Sequence, residues 1–176
     1  MTVHTVGHST RTLDELVEVL RQHDVDLLVD IRGIPLSRHT PQFNSESLRN
    51  DLPGHGLGYV HLSRLGGRRP TRADSPNAGW RNKSFRGYAD YMQTDDFRAG
   101  LEELLELAER SHPAIMCAEA VPWRCHRSLV GDALLVRGVR VLDIFDASQA
   151  REQTLTSFAR VDGDRILYPP DETDAE

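Results

Sequence analysis

Between positions 117 and 127 the chain reads Cys117-Ala-Glu-Ala-Val-Pro-Trp-Arg-Cys-His-Arg127, so two thiols, a carboxylate, an imidazole and two guanidiniums share one short stretch. Cys125 is a candidate nucleophile, His126 its candidate base and Glu119 a second acid/base, while Arg124 and Arg127 offer forks for an anion. The stretch follows an apolar run, His112 to Met116, and precedes Ser128 to Leu135, which has the apolar spacing of a helix. That places Cys125 at a helix start, where a thiol pKa is lowered and backbone N–H groups attract anions. Cys117 ends the run and equally suits a small buried strand residue. The spacing from Cys117 to Arg124 is one residue too long for a phosphatase loop, and the two cysteines do not form a CxxC motif.

Three further clusters carry polar groups that a parallel sheet brings together at its strand ends. Gly7-His8-Ser9 follows the first apolar run, so His8 is a second candidate base and Ser9 either faces the ligand or caps the next helix. Asp30-Ile-Arg32, with Ser37 and Arg38 beyond it, fits an ion pair that shapes a site or a pair of arginines that bind an anion. His61 ends a third run and leads to Gly66-Gly67-Arg68, where adjacent glycines allow close backbone approach, and on to Tyr88, which can stack or donate a hydrogen bond. Zinc on Cys117, Cys125 and His126 with His8 or Glu119 is the minor alternative; otherwise no cofactor is expected, because these spacings match no common zinc pattern.

Composition bounds these readings. The 176 residues, 39% of them hydrophobic, suit one domain with its own core. A net charge of −6 argues against a simple basic nucleic-acid binder, yet residues 32–98 hold ten arginines and one lysine against six acidic residues. Two cysteines argue against a disulfide scaffold, and no apolar run is long enough to span a bilayer, so a cytoplasmic protein with reduced thiols is expected and no membrane partner.

The elements that position the clusters follow from periodicity. Strands are expected at Val3–Val6, Asp26–Ile31, Leu57–Leu62, His112–Met116 and Val139–Phe145, with an edge strand at Arg165–Tyr168. Helices are expected after the capping box Thr12-Leu-Asp-Glu15, at about 45–51 and 85–92, after Thr94, at 128–135 and at 149–159. The first strand, helix and strand predict a parallel, right-handed crossover. The glycine- and proline-rich stretch 66–79 reads as a long loop, functional or mobile. The expected architecture is α/β: a single-domain three-layer sandwich over residues 1–168, its sheet mostly parallel with helices on both faces, followed by an acidic, disordered tail at 169–176.

Taken in order, Thr5-Val-Gly-His-Ser9, Leu28-Val-Asp-Ile-Arg32 with Pro35 and Ser37, Tyr59-Val-His-Leu62 with Leu65-Gly-Gly-Arg68, Phe85-Arg-Gly-Tyr88 and Tyr91-Met92, and Cys117-Ala-Glu119 with Pro122 and Cys125-His-Arg127 resemble the domain-of-unknown-function 488 family. The resemblance covers about Val3 to Ile144. It implies a compact α/β domain, mostly bacterial, without a settled activity; some relatives carry a loose DNA-repair label.

The leading expectation is a cysteine-dependent hydrolase or transferase acting on a small anionic molecule, a nucleotide or phosphorylated metabolite, clamped by Arg32, Arg68 and Arg127. A nucleic-acid-binding module using Trp80, Phe85, Tyr88 and Tyr91 is the second reading. In a third, Cys-His-Arg is a network that only holds the sheet together. The oligomeric state is left open.

Overall fold

A computed structural model describes residues 1–171; residues 172–176, most of the expected acidic tail, lie outside the described residues. The strands are β1 (Thr2–Gly7), β2 (Leu27–Asp30), β3 (Gly58–His61), β4 (Pro113–Cys117), β5 (Arg140–Ile144) and β6 (Ala150–Glu152). They form one sheet in the order β3-β2-β4-β1-β5-β6, parallel throughout except for β6. A separate antiparallel hairpin joins β7 (Arg160–Asp162) to β8 (Arg165–Leu167). The helices are α1 (Leu13–Gln22), α2 (Ser45–Asp51), α3 (Lys83–Tyr91), α4 (Asp95–Arg110) and α5 (Arg127–Val136).

Alternation along the strands gives the sheet two apolar faces. Leu28, Ala114 and Met116 point to a core shared with Leu16 and Leu20 of α1 and Leu48 of α2. Val29, Ile115 and Val141 point to the opposite core, built with Tyr88 of α3, Leu101 and Leu104 of α4, and Leu129 and Leu134 of α5. The fold is therefore an α/β domain with a mostly parallel sheet and helices on both faces. Thr12 caps α1 as expected: its hydroxyl accepts from the Glu15 N–H, and the Glu15 carboxylate accepts from the Thr12 N–H.

One feature of the topology positions the site. β1 and β2 are parallel, but β4 lies between them, so the α1 crossover spans one strand. The loops after β1 and β2 both lead to helices on one face, α1 and α2, whereas the loop after central β4 leads to α5 on the other, so neighbouring strand ends send the chain in opposite directions. Such a crevice is where open α/β sheets bind ligands.

The helix expected at 149–159 is absent. Residues 150–152 pair with β5 instead, and Gln153 and Thr156 then run past α5 to reach its buried Asp132. The Thr156 hydroxyl donates to Asp132 at 2.6 Å and the Tyr168 hydroxyl at 2.8 Å. Satisfying a buried carboxylate outweighs a weak local helix preference in a segment whose apolar residues lack a helical stripe. Likewise, Arg165–Leu167 edges no main-sheet strand but folds back on β7 through Gly163, at φ 61°. The 66–79 loop is anchored at its far end: fully buried Asn77 donates to Asp90 at 2.7 Å and accepts from the Tyr168 N–H at 2.9 Å.

Candidate functional site

The loop after β4 crosses directly over the end of β1. The His8 N–H donates to the Cys117 carbonyl at 3.0 Å and the Ser9 N–H to the Ala118 carbonyl at 2.9 Å. Gly7 is required at this crossing, because a Cβ there would lie 1.6 Å from the Glu119 carbonyl oxygen. The two loops are thereby locked together, which is how segments far apart in the chain come to share one site.

Inside this lock Cys117 and Cys125 are joined through their sulfurs, so the expectation of two independent reduced thiols is corrected. They form a single local link between the end of β4 and the start of α5, not a scaffold. Arg127 lies against the pair. Its Nη1 donates to Cys117 Sγ at 2.8 Å and also to the Glu119 carbonyl; Nη2 donates to the Ala120 carbonyl at 3.1 Å and Nε to the Thr5 hydroxyl at 3.3 Å. Its backbone N–H points at Cys125 Sγ, 3.4 Å away. Arg127 is 0% exposed, so the anion clamp expected of it is corrected: the fork is spent on the protein itself. Burial lowers this guanidinium to about 10, with Asp143 and Glu119 holding it up, and it stays charged at neutral pH. Asp143, whose carboxylate accepts from the Thr5 hydroxyl at 2.6 Å, completes the buried charge set.

His126 is partly buried at the start of α5. Its Nε2 donates to the Ile31 carbonyl at 2.9 Å, leaving Nδ1 3.7 Å from Cys125 Sγ. Burial lowers its pKa to about 4, against the opposing pull of the Ile31 and Leu65 carbonyls. An imidazole with a pKa of about 4 is a weak general base at neutral pH. Gly67 is a glycine because His126 is there: a Cβ would sit 2.9 Å from Nδ1. Gly66 packs against Gly33 in the same way, with a Cβ 2.8 Å from the Gly33 Cα. The glycine pair therefore admits the protein's own backbone and imidazole, while Gly67 also lines the cavity above them. Tyr88 stacks obliquely on the imidazole, 4.9 Å between ring centres, and its hydroxyl donates to the Leu65 carbonyl, so it presents a ring edge and no free donor.

Asp30 and Arg32 form the ion pair the sequence suggested, at 2.7 Å, and Asp30 is fully buried. Asp30 also accepts from the Tyr59 hydroxyl at 2.6 Å, and Arg32 donates to the Phe43 carbonyl at 2.5 Å and to His8 Nε2 at 3.3 Å. Because Nδ1 of His8 donates to the Ser9 carbonyl, Nε2 is free to accept; desolvation holds this histidine neutral. His8 stacks on Phe43 behind Arg32, and its polar contacts are with Ser9 and Arg32 rather than Cys125. His61 donates to the Arg32 carbonyl at 2.7 Å and so supports the same turn. Ser37 stays local, its hydroxyl accepting from the His39 and Thr40 N–H groups, and Arg38 is exposed outside the crevice. Ser9 adopts φ 50° at the loop crossing and does not cap α1.

Above this floor opens a cavity of about 940 Å³. Its walls carry Arg32, Arg64, Arg68, Arg69 and Arg124 against Asp96 and Glu119, with Phe85, Tyr88 and Tyr91 on one side and Cys117, Cys125 and His126 at its base. The Arg69 guanidinium carbon sits over the Tyr91 ring, 3.7 Å from its centre, and Arg69 Nε donates to the Gly66 carbonyl at 3.1 Å. Arg68, Arg124 and Glu119 are exposed, and none of the three has a side-chain hydrogen bond or ion-pair partner among the described residues. Arg68 is held at φ 59°.

The family model described as domain of unknown function DUF488 matches residues 12–134. The chain belongs to this family. The matched span takes in the cavity walls and the Cys117–Arg127 loop of this DUF488 domain, while the Gly7-His8-Ser9 turn lies just before it. No curated protein matches the chain, and no solved structure matches it.

Among the described residues of this DUF488 domain no three histidines, cysteines or acids gather as a metal-binding group; the sulfurs of the zinc alternative contact each other and His126 Nε2 faces a carbonyl. No helix there is long and apolar enough to cross a membrane. Trp80, offered as a nucleic-acid stacking surface, packs against Phe85, Phe158 and Tyr168. Sequence reasoning missed Arg64, Arg69, Ile34 and Leu36 as cavity residues. Arg69 was detectable as Arg68's neighbour, but the exposed Ile34 and Leu36 on the rim carry no pattern that marks them.

Proposed function

We propose that this protein binds a small anionic molecule, of the nucleotide or phosphorylated-metabolite class, in the cavity at the carboxyl ends of β2 and β4. The observation that carries the reading is the charge on the walls: five arginines against two acids, in a molecule whose net charge is −6. Arg68 and Arg124 are the free forks that would take phosphate or carboxylate in two parallel hydrogen bonds. Phe85 and Tyr91 supply the apolar wall against which a base or other flat group lies. Arg32 and Arg127 act beneath them, orienting the turn after β2 and the loop after β4.

Any nucleophilic role of Cys125 belongs to the form in which its link to Cys117 is open. Thermal melting of the purified protein with a panel of ADP, pyrophosphate, sugar phosphates and their uncharged parents tests the reading. A ligand at one hundred times its Kd stabilises by about 2.7 kcal/mol, which raises the melting temperature by several degrees. A panel in which charged and uncharged members shift the melt equally contradicts it.

A further inference from the structure

Two cysteines eight residues apart, joined at the base of a cationic cavity, have no place in anion binding alone. Each sulfur has its own positive partner. The Arg127 guanidinium lies 2.8 Å from Cys117 Sγ, and the first N–H of α5 lies 3.4 Å from Cys125 Sγ. Both arrangements favour thiolate over thiol, since a cation or a helix N-terminus stabilises the negative sulfur. The loop that carries the second cysteine, from Ala118 to Arg124, also forms part of the cavity wall.

We propose that Cys117 and Cys125 are a reversible dithiol–disulfide couple that reduces low-molecular-weight disulfides bearing carboxylate or phosphate groups. This names a substrate class for the cavity and rests on its reading as an anion site. In the first step the Cys125 thiolate attacks one sulfur of the bound disulfide. A Cys125–substrate S–S bond forms, the substrate's own S–S bond breaks, and the first product leaves as a thiolate that takes a proton from water. In the second, the Cys117 thiolate, already held by Arg127, attacks Cys125 Sγ. The mixed disulfide breaks, the second product thiolate leaves and is protonated, and the Cys117–Cys125 bond forms. The substrate gains two electrons and the cysteine pair loses two; a low-molecular-weight thiol resets the pair by the reverse exchange. Arg68 and Arg124 hold the substrate's anionic groups during both steps.

The test is a single turnover of the full chain, reduced and freed of reductant. Glutathione disulfide, which carries carboxylates, is compared with cystamine, whose charged groups are cationic, and intact mass is followed. The expected result is two product thiols released per chain with glutathione disulfide, at least tenfold faster than with cystamine. Cys117→Ser should stop at a mixed disulfide on Cys125, and Cys125→Ser should form none there. Serine at 117 still accepts the Arg127 hydrogen bond, and a melt of each variant confirms that it is folded. No thiol release from either disulfide, in protein that still binds ADP, overturns the couple and leaves the anion site standing. Equal rates with both disulfides overturn the anionic substrate class while the couple itself stands, and ADP binding in the same protein decides the anion site separately.

Discussion

Replacing Arg127 by methionine separates a buried brace from a ligand clamp. The substitution keeps the aliphatic stem and removes the fork. The part-buried carbonyls of Glu119 and Ala120 and the fully buried Thr5 hydroxyl lose their charged donors. Each stranded buried acceptor costs about 1–3 kcal/mol, and breaking a buried charge set costs about 3–5 kcal/mol in total. Asp143 adds to this, since its carboxylate loses the nearby positive charge. The whole unfolding free energy of a domain is about 5–15 kcal/mol, so the variant gives up a large share of it. Urea unfolding followed by circular dichroism reads the change. With a slope of about 1–3 kcal/mol per molar, the midpoint falls by about 2 M. A shift below about 0.5 M, with ligand binding lost, would refute the brace and restore Arg127 as an anion clamp.

The other expectations are as direct. Gly7→Ala drives a Cβ into the Glu119 carbonyl and should cost more than about 3 kcal/mol or prevent folding, whereas Gly54→Ala, with nothing within 4 Å, should be neutral or stabilising by about 0.4–1 kcal/mol; paired melts decide. His126 has a folded pKa of about 4, below its unfolded value of 6.5, so its contribution is fully present above pH 6.5 and is lost as pH falls toward 4. His126→Gln should therefore flatten the fall in stability between pH 6.5 and 4 by up to about 3 kcal/mol relative to the parent, and an unchanged slope would remove this assignment. Asp30→Asn leaves the buried Arg32 charge without its carboxylate and should cost about 3–5 kcal/mol in urea, against about 1 kcal/mol for Tyr59→Phe, which removes one hydrogen bond to the same group.

Periodicity made the sheet and its covering helices legible because both faces of β2 and β4 are buried and α1 carries a full capping box. It failed at 149–159, where the decisive partner, Asp132, is some twenty residues away and polar. The cluster around Cys125 was legible as a site because a strand, a loop and a helix start coincide with reactive residue types. What each residue does there was not legible. Whether Arg127 points into the cavity or under it depends on the β1–β4 crossing at Gly7, which no local pattern encodes. The same holds for Gly66 and Gly67: their lack of a side chain pointed to close approach, and only the three-dimensional arrangement shows that His126 and Gly33 make that approach. The join between Cys117 and Cys125 follows from a loop that returns to the end of its own strand, a path set by Arg127 and the Glu119 and Ala120 carbonyls.

The anion site is tested most directly by calorimetric titration of ADP into the wild-type chain and into the Arg68→Ala/Arg124→Ala variant. Both arginines are exposed and without side-chain partners among the described residues, so the variant keeps its fold. The account predicts saturable binding at one site per chain, weakened at least tenfold in the variant and by added salt. Absence of binding to the wild type, or binding that the folded variant retains unchanged, would contradict it.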